Sequence, residues 1–223
     1  NHHNFDTWSP VVQTQLFYGY DKSLFLKQLE WGITIQKYET NLDTESYSEV
    51  AMRYPENIGI KLLEEEEMDG FDSYWEYISF CFRHIADVCT IYLKHLFNGI
   101  DIVYNDIYIY KVYKNRFFIQ WFNYTMIFAG INALFQNYKQ WDRKQIGWIL
   151  CWIAPIILVI PTAVETRFFV GLLTLLYFSA IKLFTQEKRK MFNLRNFAKY
   201  VLFVMVCFVL NNAAFSMVGI PIW

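Results

Sequence analysis

The sequence predicts an integral membrane, all-α protein, with about four transmembrane helices preceded by an α-rich extracytoplasmic domain. Three observations predict it. Four apolar stretches follow one another at 117–136, 147–164, 167–184 and 198–220, each near the ~20 residues that carry a helix across the ~30 Å hydrocarbon layer. The segments joining them are short, and two of them are basic. The charge is also divided. Residues 1–116 hold 18 of the 21 acids and 10 of the 20 bases, a net of −8, whereas residues 117–223 hold three acids and 10 bases, a net of +7.

Composition excludes several classes. The 223 residues are 55% hydrophobic and 20% aromatic, with a net charge of −1. A chain this apolar buries enough surface to offset its ordering entropy, which excludes disorder. Acids and bases nearly balance, so no nucleic-acid partner is expected. Four Cys in 223 residues exclude a disulfide scaffold. The chain opens on Asn1, with no basic segment leading into an apolar one, so no signal peptide is expected at its start. The expectation is a C-terminal fragment of a longer protein.

Residues 1–116 form the predicted acidic, aromatic-rich extracytoplasmic domain. Residues 4–20 mix aromatics with Pro10 and read as irregular. Leu24, Phe25, Leu26, Leu29, Ile33 and Ile35 give 22–36 an apolar pattern. Residues 39–55 are polar and loop-like. Residues 59–68 suit a short helix with an acidic end, and Asp69–Gly70 signals a break. Asp72 or Ser73 then caps a helix with Glu76 in its first turn. That helix is predicted over 74–97, with apolar positions from Tyr77 to Leu96 at spacings of one, three or four. Residues 100–112 read as an extended approach to the bilayer, with Tyr104, Tyr108, Tyr110, Tyr113 and Trp121 suiting an interfacial belt. Cys81 and Cys89, eight apart on one helix, cannot pair.

Residues 117–223 form the predicted transmembrane domain. The 137–146 loop carries Lys139, Arg143 and Lys144 against Asp142. The 185–197 loop carries Lys188, Arg189, Lys190 and Arg195 against Glu187. Basic loops stay in the cytoplasm, and four spans put both on one side. Residues 1–116, the 161–167 turn and Trp223 then face outward. Lys182 and Lys199 would snorkel inward. Lys111, Lys114 and Arg116 stand against this orientation. Asn132 and the Asn211–Asn212 pair are expected to join helices by hydrogen bonds.

The candidate chemistry is concentrated in one turn. Glu165 and Arg167 are the only charges between the second and third stretches, at a depth where ionisable groups are costly. The planar fork of Arg167 suits a phosphate, and Glu165 could orient it or take a sugar hydroxyl. A plain ion pair closing the turn is the competing account. His95 and Asn98 end the long helix and form the second candidate. His84 and His95 are eleven apart, about 16 Å by helical rise, too far for one metal site. The adjacent His2–His3 pair lacks ligand spacing. The acid run 64–67 with Asp69 and Asp72 lacks the oxygen and glycine pattern of an EF-hand, so no metal site is assigned.

Pro161, Glu165, Arg167, Phe168 and Phe169 follow a P-x-x-x-E-x-R-F/Y-F pattern. This is similar to a signature of bacterial polytopic GT-C glycosyltransferases. The run from Arg83 to Asp101, with Ile91, Tyr92, Leu93, Lys94, His95 and Asn98, resembles an outer-domain helix of such proteins, as does Gln36-Lys37-Tyr38-Glu39-Thr40 after an apolar helix. The resemblance covers most of the chain but only the C-terminal portion of such a protein. It implies a bacterial cytoplasmic membrane, a polyprenyl-phosphate-linked sugar as donor, and a cell-surface glycan or lipid as acceptor, with transfer on the outer face. The acidic catalytic residue of that family lies in the first outer loop, upstream of this fragment, so no catalytic residue is carried over. In this expectation Arg167 binds donor phosphate, Glu165 positions it, and His95 or Asn98 touches the acceptor. No cofactor is specified, and a divalent cation stays open. A non-catalytic assembly or export component of envelope polysaccharide synthesis is the main rival. A transporter ranks last, since few polar or broken mid-bilayer positions exist.

Overall fold

The computed structural model of the chain describes residues 23–41, 49–102, 116–138, 141–186 and 194–215. Among the described residues there are eight α-helices, one antiparallel hairpin and a short 3-10 turn. Expectations placed on 4–20, His2–His3, the extended approach over 103–112 with its tyrosines at 104, 108 and 110, Lys111, Tyr113, Lys114, Lys139, residues 187–193 and residues 216–223 lie outside the described residues.

Helix α1 (Leu24–Thr34) begins at Ser23, whose hydroxyl accepts from the Leu26 amide at 3.2 Å, as an N-cap does. Leu26, Leu29 and Ile33 turn its apolar face inward. The chain passes directly into β1 (Ile35–Asn41), which pairs with β2 (Glu49–Pro55). This corrects the loop expected over 39–55 at 39–41 and 49–55, while residues 42–48 lie outside the described residues. The inward face of β1 carries Lys37 and Glu39, both buried, so the strand has no apolar alternation to announce it.

Helix α2 (Asn57–Glu65) buries Leu62 and Leu63. It crosses α1 so closely at Gly59 that an added Cβ would lie 1.9 Å from the Ile33 carbonyl oxygen. Gly70 then turns the chain at φ +147°, a backbone shape that suits glycine. Helix α3 (Tyr74–Arg83) is capped by Ser73, whose hydroxyl accepts from the Glu76 amide at 3.2 Å. Glu76 reaches back to the Asp72 amide at 2.6 Å. The helix expected over 74–97 breaks at His84 (φ −111°, ψ 36°) and resumes as α4 (Ile85–Ile100). Glu66 holds both sides of this break, pairing with Arg83 and with His84 Nε2 at 2.6 Å. Leu26, Leu29, Ile33, Phe71 and Phe80 build the core these elements share.

Helices α5 (Phe117–Asn137), α6 (Arg143–Val159), α7 (Val170–Gln186) and α8 (Leu194–Phe215) follow. Asp142 opens α6 with a reciprocal capping box to Gln145, a standard way to satisfy the first free amides. Helices α5 and α7 lie close because Ala129, Ala133 and Ala180 are buried between them. At Gly130 an added Cβ would come within 2.3 Å of the Leu176 carbonyl oxygen. Leu96, Ile100 and Ile102 pack into the core of Ile127, Val164, Phe169 and Leu173. Packing therefore crosses the 116/117 charge boundary.

The four apolar stretches do become helices, but the expectation of about four transmembrane helices is corrected. Among the described residues one helix, over Leu194–Ala213, is long and apolar enough to cross a membrane. Helices α6 and α7 have 17 residues each, at the lower limit for a span. Helix α5 has 21 residues, and Gln120, Asn123 and Asn132 dilute its hydropathy. A multi-pass arrangement is thus not supported. One apolar helix is the sign of membrane association.

Candidate functional site

The hairpin positions the 161–167 turn. The Tyr38 amide donates to the Val164 carbonyl at 2.9 Å. One residue on, the Glu39 carboxylate oxygen Oε1 accepts from both the Thr166 amide (3.2 Å) and the Thr166 hydroxyl (2.6 Å). These bonds fix the start of the 3-10 turn (Thr166–Phe169). Its far end is set by Phe169, fully buried against Gly99 of α4.

Glu165 and Arg167 are thereby brought together. Arg167 Nη2 donates to Glu165 Oε1 at 2.9 Å, and Arg167 Nε stands 2.8 Å from Oε2. One hydrogen bond and one close charge contact therefore join the guanidinium to the carboxylate. Glu165 is buried, while the Arg167 side chain keeps 34% exposure. The guanidinium carbon also lies 5.2 Å from the Phe168 ring centre, within cation–π range.

The pair lines a cleft of about 510 Å³, shared by Gln28, Trp31, Tyr38, Thr162 and Phe168. The cleft combines one cation, one carboxylate, neutral polar groups and aromatic faces. Such a wall can take a phosphate on the guanidinium and a sugar against the rings. An entering anion must share Arg167 with Glu165, which tempers the positive charge.

His95 and Asn98 do not line this cleft. Both are buried, at 0% and 2% exposure. His95 Nδ1 is 2.6 Å from the Ile160 carbonyl oxygen and Nε2 is 3.1 Å from that of Ile35. A neutral ring has one N–H and serves one of these acceptors, whereas an imidazolium serves both. Burial pushes the His95 pKa below the ordinary histidine value, and the two carbonyls oppose that shift. Asn98 Nδ2 donates to the Gln36 carbonyl at 3.4 Å. These two residues hold α4 to β1 and to the end of α6.

Beneath the turn lies a buried polar cluster that sequence reading did not find. Lys37 Nζ donates to the carbonyls of Asn98 (3.0 Å) and Asp101 (3.2 Å) and stands 3.6 Å from Glu39. Its charge therefore sits at the C-terminal, negative end of the α4 dipole. Asp101 accepts from the Tyr124 hydroxyl at 2.7 Å and from Asn211 Nδ2 at 2.5 Å. Burial raises the Asp101 pKa, and Lys37 is the largest opposing influence. The participants are scattered over 37, 39, 98, 101, 124 and 211, so no local spacing could disclose them. Lys37 and Glu39 lie in the Gln36–Thr40 run of the resemblance, Asn98 and Asp101 in its Arg83–Asp101 run, and Asn211 among the expected helix-joining amides, but no signal groups them.

Of the expected Asn211–Asn212 pair, Asn211 bonds Asp101 at the C-terminal end of α4, while Asn212 is exposed. Asn132 donates to Phe128 of its own helix at 2.7 Å. Asn123 takes an interhelical role instead, accepting from the Tyr177 hydroxyl at 2.7 Å. Among the described residues no group of three or more His, Cys, Asp or Glu could hold a metal ion. No family model, curated protein or solved structure matches the chain.

Proposed function

We propose that this is a membrane-associated, glycosyltransferase-like protein whose 161–167 cleft receives the head of a polyprenyl-phosphate-linked sugar, bound for a cell-surface glycan or lipid. One observation carries this reading: the Glu165–Arg167 pair stands in a cleft walled by Trp31, Tyr38 and Phe168. Arg167 faces the donor phosphate, and Glu165 orients its fork. The aromatic walls suit the apolar face of a sugar. Helix α8 gives the membrane association that a lipid-linked donor requires. A bacterial cytoplasmic membrane, with residues 1–116 on the outer face, is the setting of this proposal. The test is sugar transfer by membranes carrying Arg167→Ala at normal protein levels. Loss of transfer supports the reading, and full activity removes Arg167 from the mechanism.

A specific observation favours the rival, a non-catalytic assembly or export component. Glu165 is the only acid lining the described part of the cleft, and the Arg167 guanidinium stands within 2.9 Å of both its oxygens. On that reading Glu165→Gln leaves function intact, and changes on the exposed face of α4 break a complex.

A further inference from the structure

A second cavity adjoins the first. It is a groove of about 550 Å³ between α1, α3 and α4, walled by Leu29, Tyr77, Ile78, Phe82, Val88 and Tyr92. Its walls are almost wholly carbon. The Tyr77 and Tyr92 hydroxyls bond each other, so they satisfy one another rather than calling for a polar guest. Phe25 lines both cavities. Pro161 lines the groove and its neighbour Thr162 lines the cleft. One apolar groove and one charged cleft thus meet at a shared wall.

We infer that the two cavities form one site for a single-chain amphiphile, with its anionic head at Arg167 and its hydrocarbon chain in the Leu29–Phe82 groove. The inference rests on the reading of the cleft given above and adds the place of the chain. Three observations select this occupant. Adjacency across Phe25 and the 161–162 turn sets an apolar volume beside a cation. The groove volume falls in the range of small-molecule sites, too small for a partner helix with its side chains. Helix α8 places the protein where such amphiphiles are dissolved. A peptide would leave its backbone amides unpaired against these walls. A hydrocarbon chain has none.

The test uses the full chain in a detergent-free amphipathic polymer, with four probes: farnesyl phosphate, dimethylallyl phosphate, farnesol and inorganic phosphate. Affinity is read by calorimetry. Groove occupancy is read by site-resolved thiol labelling of Cys89, which lines the groove and is exposed. Exposed Cys151 on α6 serves as the internal reference. Farnesyl phosphate should bind at least about tenfold tighter per added isoprene unit than dimethylallyl phosphate, since each buried methylene adds to the driving force. At a tenfold excess over Kd it should slow Cys89 labelling about tenfold, because only the free fraction reacts.

The variant Phe82→Glu charges an exposed rim position with little risk to folding. It should abolish the chain-length gain and the Cys89 protection while leaving dimethylallyl phosphate binding intact. If both prenyl phosphates bind equally, with Arg167→Gln weakening each and Cys89 unprotected, the groove inference falls and the cleft reading stands. Equal binding of farnesol and farnesyl phosphate overturns the joint site. If neither prenyl phosphate binds, the cleft reading falls and takes the inference with it.

Discussion

Asn211 of α8 donates a 2.5 Å hydrogen bond to Asp101 Oδ2, joining positions 110 residues apart. The contact ties α8, the one helix among the described residues long and apolar enough to cross a membrane, to the end of α4. Asp101 is also the residue whose backbone carbonyl accepts from Lys37 of β1. Hairpin and α8 therefore meet at one buried residue at the end of α4, the hairpin on its carbonyl and α8 on its carboxylate, where Tyr124 adds α5.

The first prediction concerns this junction. Asn211→Leu removes a donor from a buried carboxylate, which costs about 1–3 kcal/mol. Asn212→Leu, on the exposed side of the same turn, should cost far less. Thermal unfolding of the two variants checks the contrast. The pH dependence has a definite sign. Burial raises the folded pKa of Asp101 above the ordinary 3.8. Its contribution is therefore fully present below 3.8 and is lost as pH rises through the folded value. Asp101→Asn should gain on the parent protein over that rise. An unchanged difference between the two across pH would show that Asp101 does not titrate in this way.

A second prediction has the opposite sign. Arg83 and then His84 hold the Glu66 carboxyl down from 4.5 to about 2. A depressed carboxylate stabilises the fold above the unfolded value, and that contribution disappears as pH falls from 4.5 towards 2. Glu66→Gln should flatten the acid limb of a stability-against-pH curve in this window. Because Arg83 is half exposed, added salt should shrink the effect. An acid limb identical to the parent's would remove Glu66 from acid unfolding.

How legible this was depended on where apolar residues lie. Helices α3, α5 and α6 could be placed from caps and runs, because Ser73 and the apolar stretches are local signals. The hairpin could not, since Lys37 and Glu39 face inward and reverse the usual pattern. The Glu165–Arg167 pair was legible because two charges stood alone between apolar runs. The burial of His95 and Asn98 was not, because their partners are backbone carbonyls at Ile35, Gln36 and Ile160, which no side-chain pattern reports. The four-span count failed on length and dilution. Seventeen-residue helices and amide-bearing α5 look like spans in a run of hydropathy, yet Asn123 and Gln120 are buried in contacts of the protein itself.

The third prediction tests the packing that sets the turn. A Cβ on Gly99 would lie 2.3 Å from the Phe169 ring, and that ring is fully enclosed. Gly99→Ala should destabilise the protein by about 1–3 kcal/mol, as overpacking does. It should also weaken prenyl phosphate binding at the cleft, because Phe169 anchors the turn that carries Arg167. Gly147→Ala, which meets nothing within 4 Å, is the control. Equal behaviour of the two variants would show that Phe169 has room to move.

The last prediction concerns the side of the membrane. The outward placement of residues 1–116 was argued from two basic loops and four spans. With one candidate span the charge rule applies to its flanks alone. Arg195 and Lys199 stand at the N-terminal end of α8, and its described C-terminal end has no base. Basic flanks favour the cytoplasm, so the charges of α8 oppose the outer face that the donor cleft requires, and labelling decides between them. The reporter is Lys61→Cys, on the exposed face of α2, where the side chain is 75% exposed. On the proposed reading a membrane-impermeant maleimide labels that cysteine in intact cells, as read from its own peptide. Labelling only after cells are opened would follow the flanking charges and remove the outward-facing donor cleft.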